Sequence, residues 1–237
     1  MQKYRKDGDY SFALGTELTL ELLKQHPDKV RAVYVHSKQN DNEIYREIMK
    51  KSEQNHVEVI RSDKAFNVAG AKENCYIMGL FEKFRNPIRK DTNHVVLVNP
   101  SNMGNLGTII RSCVGFGISD IAIISPAADI YDPKVIRATM RAFFGLHFSY
   151  FDSFEDYLKY ADEREIYTFM LNGKEKLHEA TKKEHYSLVF GNEATGLDPS
   201  FINYHSIFIE QLNTIDSLNL DNAVSIAVYE LTKGRLK

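Results

Sequence analysis

Val95-Val-Leu-Val98 runs straight into Asn99-Pro-Ser-Asn-Met-Gly-Asn-Leu-Gly107, and Thr108-Ile-Ile-Arg111 follows. Four apolar residues, three of them valine, are followed by a polar loop of Asn, Pro and Gly and then by an apolar helical pattern. That is the strand–loop–helix unit of an α/β fold. The spacing predicts a strand over 95–98 and a helix over about 108–116. Outward from there the alternation repeats. Ile121–Ile124 reads as a strand, and Pro133 as the first-turn proline of a helix carrying Val135, Ile136, Met140 and Phe143. Ile166–Leu171, Ser187–Phe190 and Ile207–Ile209 read as strands, and Ala223–Lys233 as a closing helix. Strands alternating with helices imply a parallel sheet covered on both faces. Ligands on such sheets sit beyond the carboxyl ends of strands, which singles out the loops after Val98, Phe190 and Ile209.

Upstream, Thr16–Gln25 reads as a helix, Arg31–His36 as a strand and Asn42–Glu53 as a charged surface helix. His56–Ile60 and Tyr76–Phe81 read as further strands. Glu82–Asn93 is charged, contains a proline and lacks apolar periodicity, so the domain boundary is placed there: 1–85 a small α/β domain, 86–93 a linker, 94–237 the larger domain. The 237 residues, 43% of them hydrophobic, suffice for a buried core. No apolar run reaches membrane-span length, and residues 1–10 are too polar for a signal peptide, so no membrane association is expected. Cys75 and Cys113 suggest free thiols in a reducing cytoplasm. The eight histidines form no metal-ligand pattern, so no metal is expected. The net charge of −2 divides into 17 basic and 14 acidic residues over 1–91 and 13 and 18 over 92–237. That split is compatible with nucleic-acid contacts in the first part and equally with ordinary solvated faces.

Three stretches carry chemistry. In the first, two glycines three apart let the backbone turn sharply or approach a ligand, the loop ends at a helix N-terminus, and Arg111 lies about one turn into that helix. A plain Gly/Asn turn with a surface arginine fits the same residues. The second, Ser187-Leu-Val-Phe-Gly-Asn-Glu-Ala-Thr-Gly-Leu197, imitates part of a P-loop between Gly191 and Gly196. Leu197 stands where Lys is required, so a nucleoside triphosphatase is rejected, and no GxGxxG dinucleotide fingerprint follows the strands. The third, Ser217-Leu-Asn-Leu-Asp-Asn-Ala-Val-Ser-Ile-Ala227, precedes an apolar helix that Ser217 or Asp216 is able to cap. Capping alone also accounts for Ser217 and Asn219.

Taken together and in this order, SNMGNLGTIIR, LVFGNEATGL and SLNLDNAVSIAVYEL resemble the three signature motifs of SpoU (TrmH-type) methyltransferases of the SPOUT superfamily. Asp132-Pro-Lys-Val-Ile-Arg-Ala-Thr-Met140 resembles the family's helix between motifs one and two. The N-terminal part resembles, less specifically, a substrate-binding domain similar to ribosomal protein L30e. The resemblance implies a C-terminal α/β trefoil-knot domain, dimerisation through it, and S-adenosylmethionine as cofactor, with S-adenosylhomocysteine as product. It implies methyl transfer to a ribose 2′-hydroxyl of tRNA or rRNA. Cofactor contacts are implied at Gly191, Asn192, Ile209, Ser217, Leu218 and Asn219. Catalytic roles are implied for Arg111, Asn105, Glu193, Ser217 and Asn219. Arg111 is expected to bind the nucleotide phosphate or the developing oxyanion, because guanidinium is effectively always protonated. Asn105 and Ser217 are expected to orient that group or the substrate, Glu193 to pair with Arg111 or a second arginine, and Asn219 to fix the third loop. Two departures stand out: Arg141 where the family usually has glycine, and Ile209-Glu210-Gln211 where Ile-Pro-Met is common. The alternatives are a SPOUT base methyltransferase and a non-catalytic RNA-binding scaffold of the same fold, which would bind RNA with no turnover.

Overall fold

The computed structural model describes residues 2–161, 163–212 and 214–235. Along the chain come β1 (Tyr10–Leu14), α1 (Thr16–Gln25), β2 (Val30–Val35), α2 (Glu43–Gln54), β3 (Glu58–Arg61), α3 (Asp63–Ala69) and β4 (Ile77–Glu82). Next are β5 (His94–Val98), α4 (Met103–Gly115), β6 (Asp120–Ile124) and α5 (Pro133–Ala138). Then follow β7 (His147–Phe151), α6 (Phe154–Ala161), β8 (Glu165–Phe169), β9 (Glu175–Lys176), β10 (Tyr186–Phe190), β11 (His205–Phe208) and α7 (Leu220–Thr232).

Two compact units result. The first comprises Met1–Arg85 together with Asp129–Gly145; the second comprises Asn86–Ala128 and Leu146–Lys237. The sequence placed 129–145 with the second domain, and the structure assigns it to the first. Tyr131, Phe143 and Phe144 explain this. They pack on Phe81 and Phe84 at ring-centroid distances of 6.0–6.5 Å, and Phe143 lies 5.5 Å from Tyr131 and 5.3 Å from Phe144. The Ser11 hydroxyl donates to the Tyr131 carbonyl at 2.6 Å. The helix read through Met140 and Phe143 stops at Ala138. Met140 takes a left-handed φ of 55° and is 47% exposed, and the chain tightens into a 3-10 turn that buries Phe143. Arg141 lies 3.9 Å from Glu17 as a loose surface ion pair.

The first unit's sheet has the order β1-β4-β2-β3, parallel between β2 and β3 and antiparallel elsewhere. On α1, Leu18, Leu20, Leu22 and Leu23 are buried, and Gly79 on β4 lets Leu22 approach too closely for any side chain there. The second unit's seven strands run in the order β7-β6-β5-β10-β8-β11-β9, all parallel. Its central strands are buried on both faces, as parallel strands under covering helices are. β5, β10, β8 and β11 are consecutive in that order, so the loops at their carboxyl ends stand side by side.

Candidate active site

The loops after β8, β10 and β11, with the start of α7, enclose a cavity of about 350 Å³ in the second unit. Phe169 and Phe190, stacked at 4.4 Å, contribute to its wall. The loop after β10 folds back on itself. The Gly196 N–H donates to the Asn192 carbonyl at 2.9 Å, and the Asn192 side-chain oxygen accepts from the Ala194 N–H at 2.8 Å. A side chain on Gly191 would overlap the backbone of Gly196 and Leu197, and Gly196 sits at φ 68°. Both positions therefore require glycine for steric reasons.

The first loop is tied to this one by Glu193. Its carboxylate accepts from the Ser101 N–H (3.1 Å), the Ser101 hydroxyl (3.0 Å), the Asn102 N–H (3.1 Å) and the Asn105 side chain (3.5 Å). Burial works to raise the Glu193 pKa. Hydrogen bonds from backbone amides and from Ser101 outweigh it and hold the carboxyl below the ordinary glutamate value. These donors lie at the N-terminus of α4, where a carboxylate is favoured by the helix dipole. Glu193 therefore pairs with a helix end, not with Arg111 or a second arginine as the sequence suggested. Asn192 adds a second tie, donating to the Asn99 carbonyl at 2.7 Å.

α4 begins at Met103, five residues before its predicted start, because Asn102 accepts from the Gly104 and Asn105 amides at 2.8 and 3.1 Å and caps it. Arg111 is thus more than two turns into the helix. It is exposed, with no hydrogen bond or ion pair among the described residues. Asn219, not Ser217 or Asp216, caps α7, accepting from the Leu220 N–H at 3.0 Å. Asn105 and Asn219 face each other as an amide pair at 3.2 and 3.5 Å. The two helices also meet where the Ser112 and Ser225 hydroxyls lie 2.8 Å apart.

Of the residues singled out from sequence, Gly191, Asn192, Glu193, Ile209, Ser217 and Leu218 line the cavity. Asn105 and Asn219 join the network beside it, and Arg111 stands on the exposed surface of α4. Sequence reasoning missed Met170, Leu171 and Asn172, which line the cavity after β8. The rule that sends one to strand ends would have found them, since β8 lies between β10 and β11. It also missed Ser101 and Asn102 as the partners of Glu193.

The model of the SpoU rRNA Methylase family matches residues 92–229. Over 161 residues the chain is 27% identical to the 23S rRNA (uridine(2479)-2'-O)-methyltransferase of Streptomyces viridochromogenes, covering 64% of this chain and 56% of that enzyme. Over 147 residues it is 29% identical to the tRNA (cytidine(34)-2'-O)-methyltransferase of Saccharophagus degradans, covering 58% of this chain and 92% of that protein. The chain therefore spans little more than half the length of the Streptomyces relative. Among solved structures, the AdoMet-bound rRNA methyltransferase from Sinorhizobium meliloti matches with a TM-score of 0.81 at 22% identity, over 97% of this chain and 89% of that one. The SpoU methyltransferase AviRb from Streptomyces viridochromogenes, in complex with AdoMet, gives 0.81 at 20% identity, over 96% and 91%. At these identities the structural likeness establishes the fold. With the family model covering more than half its residues, the chain belongs to the SpoU rRNA Methylase family.

Proposed function

We propose that this protein is an S-adenosylmethionine-dependent RNA methyltransferase that methylates a ribose 2′-hydroxyl of tRNA or rRNA. The observation that carries the reading is the junction of the three motif loops. Two of them wall one cavity, and the third, opening α4, is clamped to it by Glu193. The relatives named above act on ribose 2′-oxygens by name, which favours ribose over base.

The cavity fits the cofactor. Its volume lies in the range of small-molecule sites, and Gly191 and Gly196, both in its lining, carry no side chain, so the β10 loop offers backbone groups to a nucleoside. Gly191, Ile209 and Leu218, with Ser217, are the residues that would hold it. When bound, it supplies a methyl group that is already electrophilic. What remains for the protein is to hold a poor nucleophile in line and to stabilise charge developing on it. Arg111 is the group for that task, as a fixed cation with unspent donors. Glu193 has its oxygens engaged and acts by positioning α4, on which Arg111 rides. The Asn105–Asn219 pair holds α4 against the start of α7.

The first unit is the substrate-selecting part in this reading, and the protein works as a homodimer through the second unit. Ile226 and Tyr229, exposed one turn apart on α7, are the apolar side chains there that such a contact would cover. Two buried, unpaired cysteines suit a reducing cytoplasm.

The test is calorimetric titration of the full chain with S-adenosylmethionine, with NAD as control. It is followed by transfer of labelled methyl to RNA, scored for alkali-resistant 2′-O-methylated linkages, and sedimentation for the dimer. Micromolar binding and ribose label are expected. Label on a base would make the protein a base methyltransferase. Binding of RNA with neither cofactor binding nor turnover would make it a scaffold.

A further inference from the structure

The segment from Ile209 to Leu218 forms one wall of the cavity through Ile209, Gln211, Ser217 and Leu218, yet its described residues belong to no strand or helix. Something must fix its course. Among the described residues, one side chain ties it to a neighbouring element. Glu210 takes the Lys176 ammonium at 3.0 Å on one carboxylate oxygen and His178 Nδ1 at 2.8 Å on the other. The remaining side-chain bond is internal, from Gln211 to the Asp216 carbonyl at 3.4 Å.

The placement of Glu210 gives this bridge leverage. Lys176 lies on β9, directly opposite Phe208 on β11. The bridge therefore adds one more tie just past the end of the β9–β11 ladder, where the chain leaves the sheet and enters the cavity wall. Its neighbours on either side, Ile209 and Gln211, both line the cavity. Ionisation of the pair agrees with the geometry. Hydrogen bonding to Lys176 holds the Glu210 carboxyl below its ordinary value, and Glu210 raises Lys176 in turn.

We propose that Glu210 is a positioning residue for cofactor binding: its bridge to Lys176 and His178 holds the Ile209–Gln211 backbone in its binding conformation. The inference rests on the methyltransferase reading above. All three side chains are roughly half exposed, so the bridge adds little to global stability. It shifts the population of loop conformations, and that shift appears as cofactor affinity. As an exposed ionic bridge, it weakens in salt.

The experiment uses the full chain and calorimetry with S-adenosylmethionine and S-adenosylhomocysteine, alongside methyl transfer at saturating cofactor. Glu210→Ala and the isosteric Glu210→Gln are expected to raise Kd for both ligands by about fivefold. Their thermal midpoints stay near wild type and kcat within about twofold. Glu210→Lys binds more weakly still. The charge swap Lys176→Glu with Glu210→Lys recovers affinity, and 1 M salt closes the gap between wild type and Glu210→Gln. Lys159→Ala, which breaks the Lys159–Asp156 surface pair (3.0 Å) on α6, changes nothing. Unchanged affinity in Glu210→Ala, failure of the swap, or a loss confined to kcat would each overturn the inference. A wild-type protein that binds neither ligand would overturn the methyltransferase reading beneath it.

Discussion

Arg111 and Glu193 differ in what their polar groups have left to offer: Arg111 has no partner among the described residues, and the Glu193 carboxylate is occupied. Glu193 accepts hydrogen bonds from Ser101, Asn102 and Asn105, which leaves it little capacity to act on a substrate. Arg111 projects from α4 with no partner among the described residues, so all its donors remain for a ligand. Arg111→Ala is expected to lower methyl transfer by about 10²- to 10³-fold, in line with loss of a donor aimed at developing charge. S-Adenosylmethionine affinity stays within about threefold, because Arg111 does not line the cavity. Single-turnover kinetics and calorimetry on the same preparation check both halves, and equal activity in the variant would remove Arg111 from the mechanism. The three motif loops were legible in the sequence because their residue types and order are unusual, and the family match spans all three. What Glu193 touches was not, since its donors are backbone amides 91 and 92 positions away, and no residue type advertises a free amide.

At the scale of elements, strand positions in the second unit were legible because β5, β6 and β10 are runs of residues buried on both faces. The start of α4 was not. Gly104 and Gly107 read as loop, but Asn102 caps the helix and burial of Leu106 and Gly107 carries it through them. β7 and α6, five and eight residues long, were overlooked; they are too short for periodicity to speak, and α6 owes its place to buried Phe154, Tyr157 and Ala161. Two strand histidines give opposite pH dependences. His94 on β5 is fully buried, accepts from Tyr157 at 2.9 Å and donates to the Arg89 carbonyl at 2.6 Å, and burial pushes its pKa down to about 4. The unfolded chain takes up a proton near pH 6.5 that the folded chain refuses until about 4. Its contribution is therefore present above pH 6.5 and is lost as pH falls. For His205 on β11, burial opposes the charge, but Glu175 and Glu165 outweigh it and the pKa is raised. Its contribution is present below the unfolded value and is lost as pH rises through the folded one. Denaturant titrations from pH 4 to 8 are expected to show the acid-side loss, on the order of 3 kcal/mol, disappear in His94→Gln. The loss on the alkaline side disappears in His205→Gln. An unchanged pH profile in either variant would refute its assignment.

At the scale of the whole molecule, the family match of 92–229 and the folded units do not share a boundary, because Asp129–Gly145 lies inside the match and packs with residues 1–85. A boundary drawn at the charged 86–93 stretch treats the second domain as contiguous; the aromatic side chains of 129–145 say otherwise. Tyr131, Phe143 and Phe144 are 8%, 0% and 1% exposed, with Phe81, Phe84 and Ser11 as neighbours. Cutting the chain before Asn93 removes those neighbours and leaves three rings without cover, each worth about 2 kcal/mol of burial. A fragment of residues 93–237 is therefore expected to bind an apolar dye and to aggregate at concentrations where the full chain is monodisperse. Phe143→Ser with Phe144→Ser in the fragment restores solubility, because the rings have nothing left to pack on. The same pair in the full chain costs upward of about 4 kcal/mol, because there they fill the first unit's core. A soluble, dye-silent fragment would show that 129–145 repacks on the second unit, and that the sequence boundary marks a domain able to fold alone.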